Sequence, residues 1–113
     1  MQAVVSDVDR LNAKAEGPGE VSGPALAFSI TVENGSKKPV DLANVVVTLT
    51  ASDGSPGGVI TSSPARPFSG KLKAGKSARA VYVFTVAPEK RDPVEVDVTL
   101  TGGDTVLQFT GKV

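Results

Sequence analysis

The chain contains no cysteine, no histidine and no tryptophan, and its one methionine is Met1. Proteins hold zinc, copper and haem iron mainly through imidazole, thiolate and thioether groups, so these ions have no usual ligand here. Serine–histidine and cysteine–histidine nucleophile pairs are impossible for the same reason. Carboxylates are the only numerous groups left for catalysis, and we expect neither an enzyme nor a bound cofactor.

Two pairs of acids are spaced two residues apart, Asp7 with Asp9 and Glu95 with Asp97. On a β-strand this spacing puts both side chains on one face, about 7 Å apart. Glycoside hydrolysis uses two carboxyls at roughly 5–10 Å across a cleft. Glu95 and Asp97 alternate with valine, however, and should face water. A solvated strand face is therefore the prediction, and a carboxylate-dependent glycan hydrolase is the less favoured alternative.

Calcium is the most credible ion, because it takes oxygen ligands from acids and backbone carbonyls. Asp53-Gly54-Ser55 and Gly102-Gly103-Asp104 are turns that offer such oxygens. The chain has no loop with repeated acids, so turn geometry explains both segments and a calcium-stabilised spacer remains an alternative. The nearby "GSPGG" lacks the lysine and the helix of a phosphate-binding loop.

Asn34-Gly35 ends an alternating segment, and this dipeptide is a strong turn signal. Asn34-Gly35-Ser36 also fits the N-glycosylation acceptor pattern, and Gly35 leaves the Asn34 backbone open to deamidation. A turn accounts for the motif, so neither modification is predicted as a function. A lysine–asparagine isopeptide bond is disfavoured, because Asn12, Asn34 and Asn44 are all expected in or beside loops.

Twelve basic and twelve acidic residues leave the chain without net charge. Sequence-independent nucleic-acid binding depends on clustered lysine and arginine, and Lys71, Lys73 and Lys76 are the nearest approach to a cluster. We therefore expect no nucleic-acid partner and no charge-driven adhesion to an anionic membrane. No apolar run reaches the roughly 18 residues of a membrane span, so insertion is not expected either.

The composition of the 113 residues favours β-sheet, with 18 valines and 9 threonines, and the length predicts one domain over residues 1–113. Twelve glycines and eight prolines keep every element short. Alternating patterns predict strands at 4–11, 25–33, 44–51, 59–61, 68–72, 77–86, 94–101 and 106–110. The intervening loops are 13–24, 52–58, 62–67, 73–76, 87–93 and 101–105.

These strands indicate an all-β, immunoglobulin-like antiparallel sandwich of seven to nine strands in two sheets. The first strand is edge-like, and the strand at 77–86 is the longest. The connection after Asn34 is long enough to cross from one sheet to the other. Tyr82 is predicted in the core. An apolar stripe of Val5, Val46, Val81 and Val83 marks either an interface or a surface covered by the chain's own loop.

Three segments carry a resemblance to a known family. They are "PGEVSGPALAFSITVENGSKKPVDLANVVVTL", "PFSGKLKAGKSARAVYVFTV" and "RDPVEVDVTL". The chain resembles immunoglobulin-like domains of unknown function from secreted, lipid-anchored or wall-exposed proteins of actinobacteria and other Gram-positive bacteria. The small secreted immunoprotective antigen of mycobacteria is a related sandwich. The resemblance covers about residues 17–110 and implies an extracytoplasmic location, although the given sequence shows neither the export signal nor the lipid-attachment cysteine typical of the family.

We therefore expect a binding or spacer module, monomeric or weakly dimeric, whose partner is another protein or a cell-envelope component. Two loops combine charge with proline and are partly pre-organised by it, so they are the expected binding elements. Their candidate binding residues are Lys37, Lys38 and Asp41 in the first loop, and Glu89, Lys90, Arg91 and Asp92 in the second.

Overall fold

A computed structural model describes residues 2–14, 22–61, 64–100 and 105–111 of the chain. Within these residues lie nine strands: β1 (Gln2–Ala13), β2 (Gly23–Glu33), β3 (Val40–Asp41), β4 (Val45–Thr50), β5 (Gly58–Ile60), β6 (Lys71–Leu72), β7 (Ser77–Thr85), β8 (Val94–Leu100) and β9 (Thr105–Gly111). Two single 3₁₀ turns, Leu42–Asn44 and Pro88–Lys90, are the helical segments of the described chain. The expected all-β class is confirmed.

The strands form two main antiparallel sheets that pack face to face. One sheet has the order β1-β2-β7-β5, the other has the order β4-β8-β9, and β3 pairs separately with β6. The connection from β2 to β4 crosses from one main sheet to the other, as predicted. It carries β3 and the 3₁₀ turn Leu42–Asn44 on its way.

The core lies between the two sheets and consists of the inward-facing residues of β2, β4, β7 and β8. Leu26, Phe28, Ile30 and Val32 of β2 are fully buried, as their alternation predicted, but Ala25, Ala27 and Ser29 on the opposite face are buried as well. Phe28 meets Phe84 and Phe109 edge-on, with ring centroids 6.3 and 6.4 Å apart. Edge-to-face packing of this kind adds to the burial of aromatic area.

The outer face of the larger sheet is also partly covered. Val83 is buried there with Ile60 and the two small residues Ala25 and Ala27, and Ala65 packs against this group. The chain after β5 reaches this position because Arg66 exchanges two backbone hydrogen bonds with Val81, at 2.7 and 2.9 Å. The strand β7 therefore has apolar neighbours on both faces, as its sequence indicated.

The edge strand β1 contains a bulge at Ser6. Val5 pairs with Ile30, and Asp7 pairs with the very next residue, Ser29, so Ser6 has no partner in the ladder. The extra residue brings Val5 and Val8 onto the same inner face, although they are three positions apart. The Ser6 hydroxyl donates to the Ser29 carbonyl at 3.3 Å, and Asp7 stays on the outer face.

The extents of the molecule are 43 × 27 × 24 Å. Glu33 of β2 pairs with Ser77 of β7 at one end of the larger sheet, and Ala25 pairs with Thr85 at the other. We call these the Asn34 end and the Arg91 end, after the buried polar residues that follow β2 and β7 there.

Several predicted boundaries differ from the structure. The predicted strand at 68–72 shrinks to Lys71–Leu72, because Phe68 enters the core and its N–H donates to the Tyr82 hydroxyl oxygen instead of to a neighbouring strand. β1 and β2, with 12 and 11 residues, are longer than the nine-residue β7, which was expected to be longest. Most of the predicted 13–24 loop and the glycine-rich turn at 101–104 lie outside the described residues.

Candidate functional site

The two predicted binding loops lie at opposite ends of the sandwich. The segment 35–41 follows the end of β2 and so belongs to the Asn34 end, whereas 87–92 follows the end of β7 and belongs to the Arg91 end. The chain is therefore unable to use both loops in one compact site. Each end has to be considered by itself.

The Asn34 end is organised by one buried amide. The Asn34 side chain is 0% exposed, and its Nδ2 donates to the carbonyls of Lys38 at 2.8 Å and Leu72 at 3.0 Å. Its Oδ1 accepts from the Ser36 N–H at 3.0 Å and lies 2.6 Å from the Ser36 hydroxyl. A buried amide is stable only when its donors and acceptors are satisfied, and here they are.

The Asn34 backbone is bonded as well. Its N–H donates to the Lys76 carbonyl at 2.9 Å, and its carbonyl accepts from the Gly75 N–H at 2.7 Å. Gly75 has φ +74°, a left-handed conformation that favours glycine in a tight turn. Asn34 therefore ties the β2–β3 loop to the β6–β7 turn.

Asn34 lies beside a loop, as expected, because it follows the last residue of β2, but it is a fully buried polar anchor rather than a simple turn residue. Its Nδ2 already holds two carbonyls and is closed to solvent, so the folded chain presents no glycosylation acceptor at this position. Deamidation requires the backbone nitrogen of Gly35 to attack the same side chain, which the four contacts of the amide hold in place. The Asn-Gly dipeptide is thus protected by the fold.

The three candidate residues of this end have different roles. Lys37 and Lys38 are exposed. Asp41 is exposed too, but its Oδ1 accepts from the Ala43 N–H at 3.0 Å and so caps the 3₁₀ turn that follows. The two lysines remain available to a partner, whereas Asp41 serves local structure.

The structure also brings together lysines that are far apart in the sequence. Val40 and Asp41 pair with Leu72 and Lys71. The carbonyls of Lys38 and Leu72 both accept a hydrogen bond from Asn34 Nδ2. The Asn34 end consequently presents five exposed lysines, which we call the lysine cluster: Lys37, Lys38, Lys71, Lys73 and Lys76. In the sequence alone, Lys71, Lys73 and Lys76 are the nearest approach to a cluster, and the pairing of β3 with β6 adds Lys37 and Lys38 to the same end.

The second loop is fastened to the turn that follows β4. Lys90 Nζ lies 3.1 Å from Asp53 Oδ2, and the Lys90 carbonyl accepts from the Ser52 N–H at 2.9 Å. Asp53 Oδ1 also accepts from the Ser55 N–H at 3.0 Å. The Ser55 hydroxyl also donates to Asp53 Oδ1. This bond, then that from the Ser55 N–H and the Lys90 ammonium, holds the pKa of Asp53 well below its usual range.

Arg91, predicted as a binding residue, is only 6% exposed. Its Nε and Nη2 both donate to the Val86 carbonyl, at 3.2 and 3.0 Å. Burial lowers the pKa of Arg91, and the neighbouring Arg10 guanidinium adds to this effect while Glu89 opposes it. Arg91 therefore supports the loop from inside, and Glu89 and Asp92 are the exposed acids of this loop.

An open cleft of about 340 Å³ lies beside these two arginines and is lined also by Leu11, Asn12, Pro24 and Pro88. At the other end, a cleft of about 450 Å³ is lined by Gln2, Glu33, Gly35 and Ser36. Among the lining residues that the structure describes, neither cleft brings together a pair of carboxylates.

The carboxylate pairs lie on open sheet faces. Asp7 and Asp9 project from the outer face of β1 and are exposed. Glu95 and Asp97 are half-buried in the outer face of the three-stranded sheet, where Glu95 accepts a hydrogen bond from Gln108 Nε2. Their surroundings are threonine and glutamine side chains of neighbouring strands rather than a cleft.

The calcium turns receive no support from the geometry. The Asp53 carboxylate already bonds to Ser55 and Lys90, and Asp104 lies outside the described residues. Across the described ranges, no three acid side chains come together in a way that would hold a metal ion. No helix in the described part of the chain has the length and apolar character to cross a membrane.

Tyr82 packs against the core from its margin. Its ring lies 5.8 Å from that of Phe68, and its hydroxyl oxygen accepts from the Phe68 N–H at 3.1 Å. Burial raises the pKa of the Tyr82 phenol, with the Phe68 bond acting in the opposite direction. The predicted core position is only partly borne out, because Tyr82 is half-buried and packs against the core rather than within it.

The predicted apolar stripe does not exist as one surface. Val83 is buried under the chain's own segment around Ala65, and Val5 packs inward against the main core. Val46 was expected to be partly covered, but it is 45% exposed on the opposite sheet. The outcome matches the alternative in which a loop of the same chain covers the outer face of β7.

Comparison of the chain with protein-family models, with curated proteins and with solved structures finds no match.

Proposed function

We propose that the chain is a non-enzymatic immunoglobulin-like module of an extracytoplasmic bacterial protein, in which it acts as a rigid spacer and binds another protein or a component of the cell envelope. The observation that carries this proposal is how the polar loop residues are used. Asn34, Asp41, Asp53 and Arg91 all bond to the backbone of their own chain. The hydrogen bonds of these side chains hold the loops in place.

The strand order supports the immunoglobulin-like part of the proposal. If the seven main strands are lettered A to G in chain order, the sheets are A-B-E-D and C-F-G. This is the arrangement of constant-type immunoglobulin domains. The sequence lacks their disulfide and tryptophan, and the edge-on contacts of Phe28 with Phe84 and Phe109 fill the core instead.

A rigid spacer has to hold the parts that it joins at a fixed separation, so its ends must not deform. At the Asn34 end, one asparagine joins the β2–β3 loop to the β6–β7 turn. At the Arg91 end, Lys90 joins the loop after β7 to the turn after β4. Both ends are thus cross-linked by hydrogen bonds or an ion pair, which favours pre-organised binding surfaces over mobile lids.

The proposal is tested by incubating the labelled folded chain with three separated fractions: envelope membranes, cell-wall sacculi and detergent-extracted envelope proteins. We expect saturable retention by at least one fraction, and competition by unlabelled chain. If none of the three retains the chain saturably, the binding role is refuted. The measurement does not require the partner to be known in advance.

The hydrolase alternative is tested in parallel. The parent chain and the double variant Glu95→Gln/Asp97→Asn are incubated with cell-wall glycans, and released reducing ends are measured. We expect no release by either protein. Release by the parent that disappears in the double variant would overturn the non-enzymatic proposal.

A further inference from the structure

The lysine cluster is a fixed feature of the Asn34 end. Lys37 and Lys38 lie on the β2–β3 loop, whereas Lys73 and Lys76 lie on the β6–β7 turn, more than 30 positions later in the chain. The Asn34 amide holds the two segments together through the carbonyls of Lys38 and Leu72. The backbone that carries the charges therefore needs no ordering when a partner binds.

These charges are not neutralised by the chain's own acids. The ion pair found in the described residues, between Lys90 and Asp53, is at the opposite end. Two acids accompany the five lysines in the described part of the Asn34 end, and one of them, Asp41, is engaged by the Ala43 N–H. Among the described residues, the Asn34 end therefore carries more positive than negative side chains.

We propose that the lysine cluster docks the sandwich end-on to an anionic lipid surface. Lysine ammonium groups act as point charges and do not need the planar partner geometry that arginine prefers. A bilayer of anionic headgroups offers such charge without directional contacts, and each lysine near it strengthens the association. The proposal rests on the proposed function as an envelope module and names the partner of that module.

The geometry favours a surface over a linear polyanion. The cleft at this end contains the Glu33 carboxylate, which repels an anionic chain that would lie in it. Four of the five lysines lie on the β2–β3 loop and the β6–β7 turn, and Lys71 lies in β6. Stacking of nucleic-acid bases needs aromatic side chains, and the residues of the β2–β3 loop and the β6–β7 turn include none.

The exposed apolar residues do not form an alternative docking surface. Val4, Val46 and Val59 are 45–55% exposed, but they lie on β1, β4 and β5 and do not adjoin one another in a sheet. Single exposed valines are common on soluble proteins and do not form a hydrophobic docking patch. Attachment through charge is therefore the interaction that the described surface supports.

The test is co-sedimentation with vesicles of equal parts phosphatidylglycerol and phosphatidylcholine, compared with pure phosphatidylcholine, at low and at physiological salt. We expect binding to the anionic vesicles only, and weakening as salt screens the charges. The double variant Lys73→Gln/Lys76→Gln should weaken binding by roughly 25-fold, at about fivefold per lysine. Lys37→Gln/Lys38→Gln should behave in the same way.

The matched control is Lys14→Gln/Arg66→Gln, which removes two positive charges outside the lysine cluster. It should leave vesicle binding within about twofold of the parent, and thermal melts of all variants should confirm that they fold. Equal losses in control and cluster variants would overturn the proposal, as would failure of the parent to bind anionic vesicles at low salt. Binding to soluble polyphosphate but not to vesicles would also overturn it.

Failure here is distinguishable from failure of the proposed function. If the parent binds wall or envelope-protein fractions but ignores anionic vesicles, the module stands and the lipid surface is rejected. If no envelope fraction and no vesicle retains the chain, both proposals fall. Hydrogen exchange adds a positional readout, because vesicle binding should slow exchange of amides in the β6–β7 turn and leave the turn after β4 unchanged.

Discussion

The side-chain amide nitrogen of Asn34 donates to the carbonyl of Leu72 at 3.0 Å, across 38 positions of sequence. This bond, together with that to the Lys38 carbonyl, fixes the Asn34 end and determines where the lysine cluster lies. The same residue that looks like a turn signal in the sequence is thus the main polar contact of that end.

Replacing Asn34 with Asp should destabilise the fold strongly. The change substitutes an oxygen for the donor that faces two carbonyls and puts a carboxylate at a fully buried position. Uncompensated buried charge costs about 3–5 kcal/mol of unfolding free energy. Urea denaturation of Asn34→Asp should show this loss, whereas Asn12→Asp, at an exposed position of β1, should change stability by less than about 0.5 kcal/mol. Similar values for both variants would contradict the role of Asn34.

The Asn34-Gly35 bond should resist deamidation in the folded chain and undergo it when unfolded. The fold holds both atoms of the side-chain amide, whereas the denatured chain leaves Gly35 free to attack. Peptide mass spectrometry after long incubation at mildly alkaline pH, with and without urea, measures the difference. Comparable deamidation in both states would show that the amide is not held as described.

Tyr82 should titrate above the usual tyrosine range. Burial raises its pKa, because the ionised phenolate is less solvated at the core margin than in water. Tyr82 is the only tyrosine and the chain has no tryptophan, so alkaline difference absorbance reports this residue alone. We expect a midpoint near 10 in urea and a higher midpoint in the folded chain.

The direction in which pH changes the stability of the fold follows from the raised pKa of Tyr82. Because the folded pKa of Tyr82 is the higher one, its contribution to stability is complete below about pH 10 and is lost as the pH rises through the folded pKa. Tyr82→Phe removes this dependence. At neutral pH it should cost about 1–2 kcal/mol, because the Phe68 N–H loses its acceptor. A folded midpoint equal to that in urea would refute the burial of the phenol.

Asp53 should make stability fall in acid. Its folded pKa lies below that of the unfolded chain, so its contribution is present above about pH 4 and is lost as the pH falls toward the folded pKa. Asp53→Asn keeps an oxygen for the Ser55 N–H but removes the charge that faces Lys90. The difference in melting temperature between parent and variant should therefore favour the parent at pH 7 and shrink steadily below pH 4. A difference in melting temperature that does not change with pH would contradict the lowered pKa of Asp53 in the folded chain.

Replacing Gly57 or Gly35 with alanine compares a crowded position with an open one. A Cβ on Gly57 would lie 2.8 Å from Leu49 Cδ2 and 3.2 Å from Phe84 Cβ, whereas a Cβ on Gly35 would meet nothing within 4 Å. Gly57 also donates its N–H to the Leu49 carbonyl at 2.9 Å, which keeps the turn close to β4. Gly57→Ala should cost about 1–3 kcal/mol, and Gly35→Ala should be close to neutral. Thermal or urea melts that rank the two variants the other way would contradict this packing.

The strands with simple alternation were predictable from sequence. β4 and β8 each bury every second residue, and the period of two is a local property that needs no knowledge of the rest of the chain. The inward-facing residues of β2 follow the same period, but its opposite face is covered as well. The two-faced character of β7 was also visible, since Val81 and Val83 alternate with Tyr82 and Phe84. What sequence did not reveal was the segment around Ala65 that covers one of these faces.

The candidate site was less predictable, because it depends on pairings between distant segments. Arg91 looks like a loop cation, and its burial depends on how the chain turns back toward Val86. The lysine cluster requires the pairing of β3 with β6, two strands of two residues each, which local propensity does not specify. The structural role of Asn34 could have been suspected only because no second strand begins directly after Gly35.

The bulge at Ser6 divides β1 into two halves of opposite phase. If Ser6 instead occupied an ordinary position in the ladder with β2, with Val5 still facing inward, strict alternation would turn Asp7 and Asp9 toward the hydrophobic interior and Val8 toward water. The length of this strand is therefore as constrained as its composition. A one-residue insertion or deletion elsewhere in β1 should reverse the faces of part of the strand and be rejected, whereas deletion of Ser6 itself should keep every other side chain on its present face.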